Sequence, residues 1–151
     1  VKNGTILTTS DAIMKIQSGS NFEYTGTKTF NFTYDNVTFE KHESKLTYYA
    51  PIAQVVSFSD NSGTKNVAFN AEFNNCTING CLNTSTDFSS GDVFVNNCEI
   101  AKAEYSGSMT MNFVDCQIDE IIIWNANTNL TNCQVTKLDD SNVTNATVTI
   151  K

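Results

Sequence analysis

A six-residue pattern recurs seven times along the chain and constrains its fold more than any other feature. It consists of an apolar residue, any residue, Asn or Asp, a small residue, any residue, and then an aliphatic residue or Phe. Its third positions are Asn3, Asn36, Asn75, Asn97, Asp115, Asn132 and Asn145. The small residues that follow them are 33, 39, 22, 18, 17 and 13 positions apart. The C-terminal half therefore repeats at about the length of one β-solenoid coil.

The pattern predicts two short strands joined by a sharp corner. Apolar residues two positions apart on a strand face the same side, so each flank predicts a strand with one apolar face. Asn and Asp tolerate a left-handed backbone, which turns the chain between the strands. Stacked coils would then hydrogen-bond these side chains as an asparagine ladder and bury the small residues in an interior row. The expected ladder is Asn75, Asn97, Asp115 and Asn132, above an interior row of Cys76, Cys98, Cys116 and Cys133.

Aligning the four coils on their cysteines predicts further columns. Two positions after each cysteine stand Ile78, Ile100, Ile118 and Val135. Five positions after it stand Cys81, Ala103, Ile121 and Leu138. Both sets are apolar and are expected to point inward. Four positions after it stand Gly80, Lys102, Glu120 and Lys137, which predicts an outer column with alternating charges on neighbouring strands.

Composition excludes several classes of protein. The net charge is −7 and all nine basic residues are lysines, so no basic patch is available for nucleic acid. No apolar run approaches the roughly 18 residues of a membrane-spanning helix. The five cysteines lack the spacing of a zinc site, and His42 is the only histidine. Buried free thiols are favoured over a disulfide framework.

The segments Lys2–Ile6 and Asp35–Phe39, with Asn-Asn-Cys at 74–76 and 96–98, resemble the right-handed parallel β-helix superfamily. That superfamily includes pectate lyases, phage tailspikes and adhesin-like surface proteins. The resemblance implies an all-β solenoid, for which we expect six to eight coils.

We expect residues 1–151 to form one β-helix domain, as a fragment of a longer chain. Residues 71–151 are expected to form regular coils. Residues 1–70 are expected to be irregular, with a loop near 40–52. Within them, Ser10–Gln17 fits either a capping helix or a strand.

The same resemblance implies an alternative function as a polysaccharide lyase or glycoside hydrolase. Lyases of this fold use calcium-binding acidic residues and an Arg or Lys base; arginine is absent here and a lysine base stays open. Asp139 and Asp140 are adjacent, so on a strand they would point to opposite faces and could not act as a pair. We expect no catalytic residue and no resident cofactor. A calcium site is an open alternative at Asp115, Asp119, Glu120, Asp139 and Asp140.

The candidate ligand-binding residues are aromatic, because aromatic faces stack on sugar rings. Tyr48 and Tyr49, with His42, lie in the charged segment that interrupts the repeat. Trp124 follows three isoleucines at 121–123. These cannot all point inward, so Ile122 or Trp124 is expected on the exterior. The alternative for Trp124 is a place in the core, or under a covering loop, domain or partner subunit.

Together these features favour a non-enzymatic module of an extracellular or cell-surface protein. It would be adhesin-like and would bind a glycan or a cell-surface receptor along its side. Besides the enzyme, a second alternative is a structural segment of a phage or surface fibre, which would associate through its open solenoid ends or the Trp124 patch. Neither nucleic acid nor a membrane span is expected.

Overall fold

The computed structural model describes residues 1–8, 28–41, 67–84, 91–106 and 109–151. These residues form eleven β-strands and no helix, and so contain no helix that could cross a bilayer. The strands are β1 (Lys2–Thr8), β2 (Lys28–Lys41), β3 (Val67–Asn74), β4 (Thr77–Thr84), β5 (Asp92–Asn96), β6 (Glu99–Ser106), β7 (Thr110–Val114), β8 (Gln117–Trp124), β9 (Asn127–Thr131), β10 (Gln134–Asp139) and β11 (Val148–Ile150). Residues 10–17, the helix-or-strand segment, and residues 42–52 lie outside the described residues. Positions 40 and 41, the first two of the loop expected near 40–52, belong to β2 instead.

The strands stack in parallel into two faces of a β-solenoid. Sheet 1 contains the first half of β2 followed by β3, β5, β7, β9 and β11. Sheet 2 contains β1, the second half of β2, β4, β6, β8 and β10. Each coil passes from sheet 1 through a corner to sheet 2, so the all-β solenoid class is confirmed. From Asn36 to Asn132 the chain completes about four turns, fewer than the six to eight expected.

Left-handed residues form the corners, as the pattern predicts. Asn3, Asn36, Asn75, Asn97, Asp115 and Asn132 all have φ between 52° and 55°. At four of these corners the backbone N–H donates to a carbonyl of the next coil, as from Asn97 to Val114 O at 2.9 Å; the four are Asn75, Asn97, Asp115 and Asn132. The corner is therefore held by the stack as well as by its own conformational preference.

The seventh copy of the pattern does not form a corner. The backbone of Asn145 is not left-handed. Val148 pairs with Thr128 in sheet 1 instead of following a corner into sheet 2. The 13 positions separating this copy from the previous one are too few for a full circuit of the solenoid. A corner that the pattern did not predict occurs at Asn125, with φ of 56°; its carboxamide oxygen accepts the N–H of Asn145 at 2.7 Å.

The corners carry ladder-like side-chain hydrogen bonds, which join the expected ladder residues in two pairs, Asn75 with Asn97 and Asp115 with Asn132. Asn97 Nδ2 donates to Asn75 Oδ1 at 2.8 Å, and Asn36 Nδ2 donates to Asn3 Oδ1 at 2.9 Å. Asn132 donates to Asp115, and Asn75 donates to Asp35 at 3.5 Å. Other amides pair between neighbouring coils in the same way, such as Asn96 with Asn74 at 2.9 Å.

The row of cysteines lies beneath these corners. Cys76, Cys98 and Cys116 are buried and Cys133 is half-buried, and all are free thiols. Each thiol donates to the carbonyl two residues earlier at 3.3 Å. Hydrogen bonds with Cys116 and Cys76, together with burial, raise the pKa of Cys98. A thiol fits this place because it is small, apolar and able to donate weakly to a carbonyl that faces the interior.

One predicted column has to be corrected. A register shift between Ile78 and Cys81 places Cys81 opposite Lys102 and Leu82 opposite Ala103. Leu82, not Cys81, therefore occupies the inward column, and Gly80 is not part of the charged one. The extra residue of a β-bulge shifts everything after it by one position. Lys102, Glu120 and Lys137 do stand in register as expected.

Replacing Asn97 separates the two contributions of a corner residue. We expect Asn97→Ala to lower the free energy of unfolding by about 2 kcal/mol, from the lost ladder bond and from the steric cost of a left-handed alanine. Asn97→Gly removes the same bond but relieves the backbone, so it should cost about 1 kcal/mol. Chemical denaturation measures both, and equal losses would contradict a conformational role for the corner.

Candidate functional site

Only one of the four predicted ligand-binding residues lies in the described part of the chain. His42, Tyr48 and Tyr49 fall outside it. Trp124 ends β8 on the outer side of sheet 2 and is the starting point for a candidate site.

Strict alternation at the end of β8 places Trp124 on the surface. Ile121 and Ile123 are fully buried, whereas Ile122 is half-buried on the outer side and Trp124 is 46% exposed. The neighbouring coil places Ser106 opposite Trp124 and Glu104 opposite Ile122. Trp124 Nε1 donates to Glu104 Oε1 at 3.3 Å. This bond orients the indole and leaves much of the ring accessible.

A network of ion pairs adjoins the indole. Lys102 Nζ lies 3.0 Å from Glu104 Oε2 and 3.8 Å from Glu120 Oε2, and Lys137 pairs with the other oxygen of Glu120. The hydrogen bond from Lys137 and the charges of both lysines hold the pKa of Glu120 below its usual value. Burial opposes the charge of Lys102, yet its bond to Glu104 leaves its pKa raised. The network fixes Glu104 while Glu104 holds the indole.

The geometry suits stacking and hydrogen bonding. An exposed indole can lie against the apolar face of a sugar ring, and adjacent carboxylate oxygens can accept hydrogen bonds from hydroxyl groups. General-acid chemistry requires a carboxyl group that stays protonated near neutral pH, and the lowered pKa of Glu120 is the opposite condition.

Three of the five acidic residues considered for calcium, Asp115, Glu120 and Asp139, have other partners here. Asp115 accepts from Asn132, and Asp139 accepts from the backbone N–H of Ser141 at 3.1 Å and from its hydroxyl at 2.6 Å. These bonds from Ser141 lower the pKa of Asp139 and define a turn. Within the described residues, no group of three or more His, Cys, Asp or Glu is arranged to hold a metal ion.

A second surface feature was not predicted. The outer side of sheet 1 carries a groove of about 320 Å³ lined by side chains that include Asn31, Asn70, Glu72, Asp92 and Phe94. Phe94 is 41% exposed, between the buried Val93 and Val95. Its run of three apolar residues carries the same signal that marked Trp124, since alternation forces the middle residue outward.

Comparisons with known proteins add no relative. No protein-family model matches the chain, and neither a curated protein nor a solved structure resembles it significantly.

Proposed function

We propose that this protein is a non-enzymatic β-solenoid module that binds a glycan on the outer side of sheet 2, around Trp124. The observation that carries the proposal is the 46% exposure of an indole whose N–H is held by Glu104. A fixed aromatic platform loses little conformational freedom on binding, which favours affinity for a ring-shaped ligand. We place the module in an adhesin-like protein outside the cell or on its surface.

The ion pairs beside the platform support binding over catalysis. Glu104 and Glu120 are both engaged by Lys102, so their oxygens are positioned as hydrogen-bond acceptors. The lowered pKa of Glu120 leaves that carboxylate without a proton to transfer to a leaving group.

The proposal predicts a loss of binding on removal of the indole. A screen of soluble glycans and polyuronates by thermal shift, with each hit checked for cleavage, should yield a ligand that stays intact. Trp124→Ala should lower the affinity for that ligand at least tenfold, because ring stacking and buried apolar area are lost together. Trp124→Phe should retain part of the affinity. Leu7→Ala, which truncates another exposed side chain of sheet 2, should change nothing.

The same experiment distinguishes the alternatives. A hit whose affinity is unchanged in Trp124→Ala would contradict the proposed site. Cleavage of the polymer would favour the lyase or hydrolase. If no glycan binds and the mass in solution rises with concentration for the wild type but not for Trp124→Ala, the indole is a subunit contact of a fibre.

A further inference from the structure

The groove on sheet 1 has a composition that differs from the Trp124 surface. Phe94 stands opposite Glu72 on the neighbouring strand and two positions after Asp92 on its own strand. Neighbouring strands lie about 4.8 Å apart and alternate residues about 7 Å apart, so both acidic residues are neighbours of Phe94, and all three line the groove. Among the described residues, no lysine lines this groove.

One wall of the groove is fixed by hydrogen bonds. Asn70 Nδ2 donates to Asn31 Oδ1 at 3.0 Å, and Asn70 Oδ1 accepts the backbone N–H of Asp92 at 3.2 Å. The wall therefore presents the side-chain amides of Asn31 and Asn70 in a set position before any ligand arrives. Such a wall suits a ligand rich in hydroxyl groups, which both donate and accept.

These features select for positive charge. Carboxylates are ionised at neutral pH and attract a cation, and the face of an aromatic ring attracts a cation as well. The net charge of −7 produces an electrostatic field that attracts a cationic ligand and repels a negatively charged one such as a uronate.

We propose that the Phe94 groove binds an amino sugar, with its ammonium group between Glu72, Asp92 and the Phe94 ring and its hydroxyl groups against the Asn31–Asn70 wall. This site is separate from the Trp124 surface and does not depend on the function proposed there.

The test titrates the full chain with three soluble oligomers at mildly acidic pH, where sugar amines are protonated. The probes are a glucosamine oligomer, an N-acetylglucosamine oligomer of equal length, and an oligolysine. We expect saturable binding of the glucosamine oligomer. The affinity for the N-acetylglucosamine oligomer and the affinity for oligolysine should each be at least fivefold lower. Added salt should weaken the binding of the glucosamine oligomer too, because charge attraction is screened.

Variants assign the binding to this groove. Phe94→Ala and Glu72→Gln should each lower the affinity for the glucosamine oligomer at least fivefold. Phe94→Tyr should retain this affinity, and Trp124→Ala should leave it unchanged. Phe94 is exposed, so its truncation should not disturb folding, which thermal unfolding checks. If the acetylated oligomer bound as tightly as the glucosamine oligomer, the assigned role of the ammonium group would be wrong. If oligolysine bound as tightly, the groove would not recognise a sugar. Full affinity in Phe94→Ala, or no binding by the wild type, would overturn the site.

Discussion

Phe113→Ala is expected to lower the free energy of unfolding by about 3 to 5 kcal/mol, measured by chemical denaturation. Phe113 has no exposed surface and stands in register between Val95 and Leu130. Its ring centroid lies 6.0 Å from that of Tyr105 across the interior. Truncation would leave a cavity that the stacked strands cannot collapse to fill, since β7 is held by hydrogen bonds to both β5 and β9.

Phe94→Ala provides the matched control for this prediction. Both residues are phenylalanines on adjacent strands of sheet 1, yet Phe94 points outward and is 41% exposed. Its truncation should change stability by about 0.5 kcal/mol or less. If the two variants lost similar stability, the inward and outward faces of sheet 1 would be wrongly assigned.

The second large effect concerns alkaline pH. Burial raises the pKa of the Cys81 thiol to about 12, although Lys102 opposes this shift. At pH values below about 7.5 the thiol is neutral in both the folded and the unfolded chain, so it adds nothing to the pH dependence of stability. As the pH rises further, the unfolded chain ionises first. The folded state should therefore lose stability, by up to about 4 kcal/mol once the pH reaches the folded pKa.

Cys81→Ala isolates this contribution from the buried tyrosines, which also titrate. Near neutral pH the variant should be less stable than the wild type by about 1 kcal/mol, because a buried thiol is lost. That difference should shrink and then reverse as the pH rises above 9, in denaturation experiments under reducing conditions. A difference that stayed constant with pH would mean that Cys81 is accessible to water in the folded chain.

Much of the fold follows from local chemistry and so could be predicted. Few residue types adopt a left-handed corner, which is why Asn and Asp marked six corners correctly. Other features depend on partners far along the chain. The corner at Asn125 was missed because buried Thr128 occupies the apolar slot of its pattern, and its hydroxyl is satisfied by Tyr105 at 3.0 Å, 23 residues away. The Cys81 bulge is likewise a property of the pairing of β4 with β6 and not of either strand alone.

The candidate site was predictable in part for the same reasons. Three successive isoleucines already required an outward residue near Trp124, and the cysteine alignment places Glu104 one coil away. Which oxygen meets the indole depends on side-chain geometry that no spacing encodes. The Phe94 groove could have been anticipated from Val93-Phe94-Val95, where the same alternation applies.

The ladder also gives the solenoid an electrical direction. In the amide pairs described above, the later coil donates and the earlier coil accepts. A carboxylate can only accept, so Asp35 and Asp115 each oblige the amide of the following coil to point back toward them. The small dipoles consequently add along the stacking axis instead of cancelling. Each hydrogen-bonded run of amides is thus polarised along the stacking axis, as a helix is by its peptide groups, and Asp35 and Asp115 each set the direction of the amide that follows them.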